Sequence, residues 1–399
     1  MASLWNPKAK KWVAGRQNLF ERLQQDIPPE KPVIWMHCAS LGEFEQGRPV
    51  LEELHRRYPR YGVLLSFFSP SGFEVRKHYA GADYIYYLPM DSPGNASQWL
   101  DIVKPSLVLF VKYEYWWHYM RECRQRKIPL LLISAIFRDQ QPFFKWYGGI
   151  FRKMLQMPEA IFVQDLDSKQ KITSLTNPER IIVAGDTRFD RVWELLQRPE
   201  PLEIIEQFGE NSQLLVAGST WPDDEALLKK ALDTCQAENL KLIIAPHQVS
   251  EEGIQRTERL FPDAIRYSRR TPDYAQARVL IIDSVGFLSR VYRYATVTYI
   301  GGGFNPSGIH NVLEAAVYGK PVLFGPAFEK FREARDLVRL GAGFPVHNEQ
   351  ELGSVLSRLL TDPAFLEKSG QVASTYVQGE TGATQSIIGY VQEKRLLTS

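Results

Sequence analysis

Cysteine is scarce in this 399-residue chain. Cys38, Cys123 and Cys235 lie far apart with no CxxC or Cys/His spacing, which excludes a disulfide framework or zinc site and points to a reducing compartment. Long apolar runs are missing too. No stretch reaches the ~18 residues that a membrane span needs, and the N-terminus lacks the apolar segment of a signal peptide. Charge of one sign is not in excess: 48 Lys and Arg face 46 Asp and Glu, and a net +2 gives no field that would gather nucleic acid. Familiar catalytic signatures are absent as well. There is no GxxxxGKS/T loop, no GxSxG elbow, no HExxH helix, and no GxGxxG opening a helix after the first strand. "IGGGFNPSGIHN" has glycines without the dinucleotide spacing.

What is present is an α/β pattern. Hydrophobic content of 44% with 24% charged residues belongs to a folded chain, and the length calls for two or three domains. Aromatics at 12% suit sugar-ring contacts and large cores equally. In the first half, strands are expected at Val33–His37, Gly62–Phe68, Tyr84–Leu88, Ser106–Val111, Leu130–Ala135, Ile161–Gln164 and Ile181–Ala184. Amphipathic stretches such as Glu45–Tyr58 and Tyr115–Lys127 separate them. The second series is Leu214–Ala217, Leu240–Ala245, Val279–Asp283, Thr296–Ile300, Pro321–Phe324 and Gly343–Val346. Helices are expected over Asp223–Ala237, Phe287–Arg293 and Ile309–Tyr318, and consecutively from Glu349. Runs that are apolar without alternation are buried on both faces, which implies parallel sheets covered by helices. The expected order is a basic, aromatic segment (1–30), a Rossmann-like domain (31–195), a proline-containing linker (196–212) and a second Rossmann-like domain with terminal helices (213–399). Two doubly wound parallel-sheet domains would then face each other across a cleft, with ligands outside the C-terminal sheet edges.

Several loops carry candidate chemistry. "HCASLGEFEQG" is a small turn between a strand and a helix, a place that often cradles phosphate. Glu43 would repel one, and by itself reads as an acid complementing the helix dipole. "TYIGGGFNPSGIHNVLEAAVYGKPVLFGP" is better suited. A helix starting near Ile309 would offer the N–H groups of Gly308, Ile309, His310 and Asn311 to one phosphate, with Glu314 one turn further for ribose hydroxyls. A loop needed only for packing is the alternative. Ser219 or Thr220 in "LLVAGSTWPDDEALL" can touch a ligand or merely cap a helix, and His247 in "KLIIAPHQVSEEG" sits just beyond a strand. Lys112 and Glu114 end a strand in "VLFVKYEYWWHYM", with Glu114 a candidate for positioning an acceptor. Asp165 and Asp167 in "DLD" read as helix capping rather than a metal pair. Lys8, Lys10, Lys11 and Arg16 interleave with Trp5 and Trp12, which suits an anionic membrane surface or a solvated arm. Phe143, Phe144, Trp146, Tyr147 and Phe151 with Lys145, Arg152 and Lys153 suit a lipid-facing surface or a core helix.

Together these motifs resemble the bacterial 3-deoxy-D-manno-octulosonic acid (Kdo) transferases, glycosyltransferases of the GT-B fold. The landmarks are "ASLGEFEQ", "LPMD", "KYEYWW", "AGDTRFD", "AGSTWPDDE" and "GIHNVLEAA…GKPVLFGP", in that order through most of the chain. The resemblance implies an inverting transfer of Kdo from CMP-Kdo to the lipid A precursor, at the cytoplasmic face of the inner membrane, without cofactor, metal or nucleic acid. By the same resemblance Glu43 is the general base, and Ser40, Gly42 and Glu114 lie on the acceptor side. Arg138, Ser219, Thr220, His247, Gly308, Ile309, His310, Asn311 and Glu314 lie on the donor side. Two landmarks depart from the family: an Arg-His pair is replaced by His247 and Gln248, and an Asn-x-Arg by "SAIFR", which ends in Arg138. Family members carry a membrane anchor ahead of the basic segment; its absence here is expected to mean a trimmed N-terminus or peripheral attachment. Two other readings use the same architecture: an enzyme acting on a UDP-sugar, whether transferase or epimerase, and a two-domain protein that only binds a small ligand.

Overall fold

The computed structural model describes residues 6–197, 200–234, 239–269 and 276–398; Trp5 and Cys235 lie outside the described residues. The chain forms two compact units, Met1–Arg191 with Thr381–Ser399, and Val192–Glu380.

The first unit is built on β1 (Val33–Cys38), β2 (Gly62–Phe67), β3 (Tyr84–Tyr87), β4 (Pro105–Val111), β5 (Leu130–Ala135), β6 (Ala160–Val163) and β7 (Ile181–Val183). They pair in parallel in the order β3-β2-β1-β4-β5-β6-β7. Successive side chains of a strand point to opposite faces. Val33 and Trp35 therefore join one cluster with Trp99 and Phe110, while Ile34 and Met36 join another with Phe44 and Leu51. Both faces are core, which explains the unbroken apolar runs. Burying a side chain of this size stabilises by roughly 2–3 kcal/mol. The second unit repeats the plan with β8 (Gln213–Thr220), β9 (Leu240–Pro246), β10 (Ile265–Arg266), β11 (Val279–Ile281), β12 (Val297–Ile300), β13 (Val322–Phe324) and β14 (Gly343–Pro345). Its parallel order is β10-β11-β9-β8-β12-β13-β14. The chain direction across the sheet reverses between β1 and β4 in one unit and between β8 and β12 in the other. Crevices open at such switch points, beyond the strand C-termini.

Four expectations need correcting. The units divide at Arg191/Val192, inside the helix Thr187–Gln197, and not over 196–212. The segment expected to be linker contains the helix Glu203–Gly209, whose Ile205 and Phe208 are buried because they stand three residues apart on one helical face. The last helix, Ala383–Glu393, belongs to the first unit and not to the domain expected over 213–399: Ile387, Ile388 and Val391 pack with Ile34, Val50 and Leu54. Finally, Ile309–Tyr318 is helical only over Leu313–Ala316.

The N-terminal helix Pro7–Ala14 is capped by Asn6 and buries no residue. It is tied down by Arg16, which donates to the carbonyls of Trp12 (3.0 Å), Phe68 (3.0 Å) and Leu88 (2.9 Å) and stacks 3.8 Å over the Trp12 ring. Burial lowers the Arg16 pKa to about 10. Arg16 and Trp12 thus face the protein, and Lys8, Lys10 and Lys11 remain exposed. Among the described residues no helix is long and apolar enough to cross a membrane.

Candidate active site

In the first unit the site begins where β1 passes into the helix Leu41–Arg57. This helix lies close on the sheet: a Cβ on Gly47 would stand 2.7 Å from Met36 Sδ and 2.9 Å from Val111 Cγ2. Its first turn therefore sits beside the ends of β1 and β4. Glu43 occupies the third helical position and reaches back, its Oε2 accepting from the Ser40 N–H (2.9 Å) and Oγ–H (3.0 Å). This is one half of a capping box, and it holds the carboxylate at the helix tip. Burial, followed by the negative field of Glu114, pushes the Glu43 carboxyl above its ordinary pKa, against the Ser40 hydrogen bonds and the field of His37. Gly42 leaves open space beside it, since nothing lies within 4 Å of where its Cβ would be.

Behind Glu43 is a polar cluster inside the core. His37, fully buried, has Nδ1 2.9 Å from Ser66 Oγ and 3.1 Å from the Ser66 carbonyl. Its Nε2 lies 2.8 Å from Glu114 Oε2, within ion-pair range but off the line of a hydrogen bond. Trp116 Nε1 donates to the same Glu114 oxygen at 2.6 Å, and Trp35 Nε1 donates to Ser66 Oγ at 2.8 Å. Glu114 is itself buried and is part of this internal cluster behind Glu43.

A cationic group faces Glu43 from the same sheet edge. Lys112, just past β4, adopts φ +65°, and Ser134 in β5 adopts φ +52°. Non-glycine residues in this region are uncommon and concentrate at functional sites. Burial and then the Arg188 guanidinium push the Lys112 ammonium below its usual pKa, with Arg138 adding to this and Asp186 and Glu43 opposing. Burial would raise the Asp186 carboxyl, but Arg188 outweighs it and leaves the pKa below the ordinary value. Arg188 donates to Asp186 from its backbone (2.9 Å), Nε (2.9 Å) and Nη2 (2.7 Å). Thr187 stitches the group together, its hydroxyl lying 2.9 Å from Ser134 Oγ and donating to the Gln46 carbonyl. Arg138, expected on the donor side, belongs to this first unit and is exposed.

The site of the second unit gathers at the ends of β8, β9 and β12. A Cβ on Gly301 would meet the Ser219 carbonyl at 2.4 Å, and one on Gly303 would meet Gly325 Cα at 2.4 Å, so the glycines permit backbone contact that no other residue allows. Ser219 itself adopts φ +53°. Asp224, wholly buried, fastens the loop by accepting from Trp221 N (2.9 Å), Gly302 N (2.8 Å) and the Tyr299 hydroxyl (2.8 Å). Trp221, His247 and His310 form a ring stack, with centroids 4.6 Å and 4.7 Å apart. His310 Nε2 accepts from Trp221 Nε1 at 3.2 Å, and burial with the neighbouring His247 lowers its pKa to about 4, so it is a neutral imidazole at neutral pH. His247 is exposed and presents the stack to solvent.

Part of the expected phosphate cradle has a different use. The Gly308 N–H already donates to Asn305 O (2.9 Å) and the His310 N–H to Gly301 O (3.1 Å). Ile309 is core, at 4% exposure. Asn311 accepts from Leu313 N (3.2 Å) and donates to Glu314 (3.1 Å). Thr220 turns its hydroxyl inward to Glu225 (3.2 Å). Among the described residues no three of His, Cys, Asp or Glu are grouped to hold a metal ion. Sequence reasoning missed His37, Ser66, Asp186, Arg188 and Asp224 as site residues; the single polar Ser66 inside "GVLLSF" was the signal available for one of them.

Residues 17–191 match the family model described as 3-deoxy-D-manno-octulosonic-acid transferase (kdotransferase). The 3-deoxy-D-manno-octulosonic acid transferase of Aquifex aeolicus is 26% identical over 373 residues, covering 90% of this chain and 97% of that protein. The Haemophilus influenzae protein of the same name is 24% identical over 402 residues, covering 97% and 92%. Among solved structures, a UDP-N-acetylglucosamine 2-epimerase superposes with a TM-score of 0.64 at 17% identity, covering 92% of this chain and 98% of that one. The Neisseria meningitidis UDP-GlcNAc 2-epimerase gives 0.63 at 16% identity, covering 90% and 99%. These likenesses establish a GT-B-like fold of two parallel-sheet units. In its motifs and along nearly its whole length the chain is similar to the 3-deoxy-D-manno-octulosonic acid (Kdo) transferases, a family of glycosyltransferases whose model its residues 17–191 match.

Proposed function

We propose that the protein transfers Kdo from CMP-Kdo to the lipid A precursor, a step of lipopolysaccharide assembly, by a single inverting displacement with Glu43 as general base. The observation that carries this reading is the placement of Glu43: fixed at a helix tip by Ser40, at the switch point of the first sheet, with its pKa raised by burial. A base benefits from a raised pKa and a fixed geometry: burial moves the Glu43 pKa in that direction, and Ser40 holds the carboxylate in place. Glu43 takes the proton of the acceptor hydroxyl as that oxygen bonds to the anomeric carbon; the bond from that carbon to the phosphate of CMP breaks, and CMP departs with the electron pair. Buried His37 and Glu114 position the base from behind. Lys112, Arg138 and Arg188 suit an acceptor that carries anionic groups. In the second unit, the Trp221–His247–His310 stack offers a face for the base of the nucleotide, and the Ser219 and Gly301–Gly303 backbones form the loop that receives the rest. Gly308, Asn311 and Glu314 complete the donor side of the proposal.

We further place the protein at the cytoplasmic face of the inner membrane. Trp146 is 92% exposed, with Tyr147 and Ile150 also exposed beside Lys153. Indole and tyrosine rings next to cations suit the headgroup layer, whereas Phe143 is turned into the core. The test is mass analysis of lipid A precursor incubated with CMP-Kdo and the protein. Addition of one or more Kdo masses is expected; an unmodified acceptor would reject the reading. Calorimetric titration separates the UDP-sugar alternative, since CMP should bind more tightly than UDP.

A further inference from the structure

The second unit has a cavity that the transfer reaction does not use. It lies at the edge of the sheet where β12 and β13 begin, whereas the glycine loop lies where β12 ends. Its volume is about 500 Å³, and its walls include Thr296, Lys320, Glu367, Gln371 and Ser374. The helix Pro363–Gly379 forms one side, held against the chain by a close backbone approach: a Cβ on Gly370 would stand 2.3 Å from the Gly319 carbonyl, and Gly319 adopts φ +66°.

Lys320 is the unusual feature. It is half-buried, yet among the described residues no carboxylate pairs with it and no acceptor takes its protons. Glu367, the carboxylate in the wall, is exposed at the rim and accepts from Gln371 at 3.3 Å. A cation withdrawn from water without a counter-ion is costly, and native structures generally pair such groups. We propose that this cavity is a second ligand site, in which Lys320 pairs with the phosphate or carboxylate of a small polyhydroxylated anion, about the size of a sugar phosphate or sugar acid. Volume and chemistry agree on this class. A cavity of this size accepts a monosaccharide, and the Thr296 and Ser374 hydroxyls and the Gln371 amide suit its hydroxyl groups. Burial alone pushes the Lys320 ammonium below its usual pKa, and no nearby charge offsets it, so an arriving anion would stabilise the protonated form. The site also has a short connection to the donor loop. Lys320 leads into the three residues of β13, Val322–Phe324, and Gly325 beyond them is the residue against which Gly303 packs.

The test uses the full chain in isothermal titration calorimetry with glucose 6-phosphate and with gluconate, which separate phosphate from carboxylate recognition. At least one should bind with a dissociation constant of about 1 mM or tighter. Lys320→Met should weaken that binding about tenfold, the loss of one charge-assisted hydrogen bond, while Lys320→Arg should restore it to within about threefold. Ser374→Phe, which fills the cavity without touching the charge, should also weaken it about tenfold or more. Binding should persist in saturating CMP. Binding of neither probe at about 10 mM, binding by Lys320→Met or by Ser374→Phe as tight as that of the wild type, or displacement by CMP would each overturn the proposal. None of these outcomes bears on Kdo transfer, so the two readings fail separately.

Discussion

Glutamine in place of Glu43 separates the catalytic from the structural role of this residue. Glu43 Oε2 accepts two hydrogen bonds from Ser40, at 2.9 Å and 3.0 Å. A glutamine carbonyl oxygen can accept both, and glutamine is a natural third residue of a capping box. What is lost is the charge at the helix tip, worth about 0.3–1 kcal/mol. Because folding raises the Glu43 pKa, the native state holds this proton more tightly than the open chain does. Stability contributed by the protonated carboxyl is therefore present at low pH and is lost as pH rises from the unfolded value through the folded one. Near neutral pH the ionised carboxylate thus pays a desolvation cost that glutamine avoids. The two effects oppose, so the melting temperature should move by no more than about 3 °C. Catalysis should behave differently. Loss of a positioned general base reduces the rate about 10²–10⁴-fold, equivalent to roughly 3–5 kcal/mol of barrier. In the wild type, transfer from CMP-Kdo to lipid acceptor should rise with pH through an apparent pKa above the ordinary glutamate range, and Glu43→Gln should lose that limb while its CMP affinity stays within about twofold. Initial rates across pH, with calorimetry and thermal unfolding on the same samples, measure all four quantities. A Glu43→Gln rate within tenfold of wild type, or an unchanged acid limb, would refute the assignment.

Other perturbations probe neighbouring features. Lys112→Met should raise the melting temperature, since an ionised lysine held below its usual pKa by burial subtracts from stability at neutral pH; about 1 kcal/mol is expected. The same change should raise the acceptor KM tenfold or more, and a lower melting temperature with unchanged KM would count against the cationic site. Glu114→Ala leaves buried His37 and the Trp116 N–H without their partner and should cost about 3 kcal/mol, read as a drop of roughly 6–12 °C in melting temperature. Gly303→Ala forces a methyl to 2.4 Å from Gly325, so CMP affinity should fall at least tenfold while unfolding of the second unit moves down by about 1–3 kcal/mol. Trp146→Ala should leave the melting temperature unchanged and weaken flotation with anionic vesicles about tenfold, because the ring is 92% exposed and packs on little of the protein.

Much of this architecture was legible in the sequence. Leu130–Ala135 was expected as a strand and is one, and the other long strands begin and end within about three residues of the expected positions, because a buried parallel strand must be apolar on both faces. The short β10 escaped, since two residues carry no periodicity. The helix expected at Ile309 failed for a related reason. Ile309 and Val312 belong to a loop in which the Gly308 and His310 N–H groups are already taken by the carbonyls of Asn305 and Gly301, and Ile309 is buried by packing rather than by helical phase. The tail was misassigned because an amphipathic helix states that it has an apolar face, but not which sheet will cover it.

Glu43 shows where the division falls. Sequence alone determined an acid near the start of a helix, after a strand, in a small glycine-containing turn. Tertiary structure decided the rest: that Gly47 lets this helix sit against Met36 and Val111, that Glu114 and burial raise the acid's pKa, and that Lys112, Arg138 and Arg188 arrive from three other strand ends. Local geometry depends on neighbours along the chain and can be read there. The field at a carboxylate depends on charges and on excluded water brought from distant parts of the chain, and these exist only once the sheet has formed.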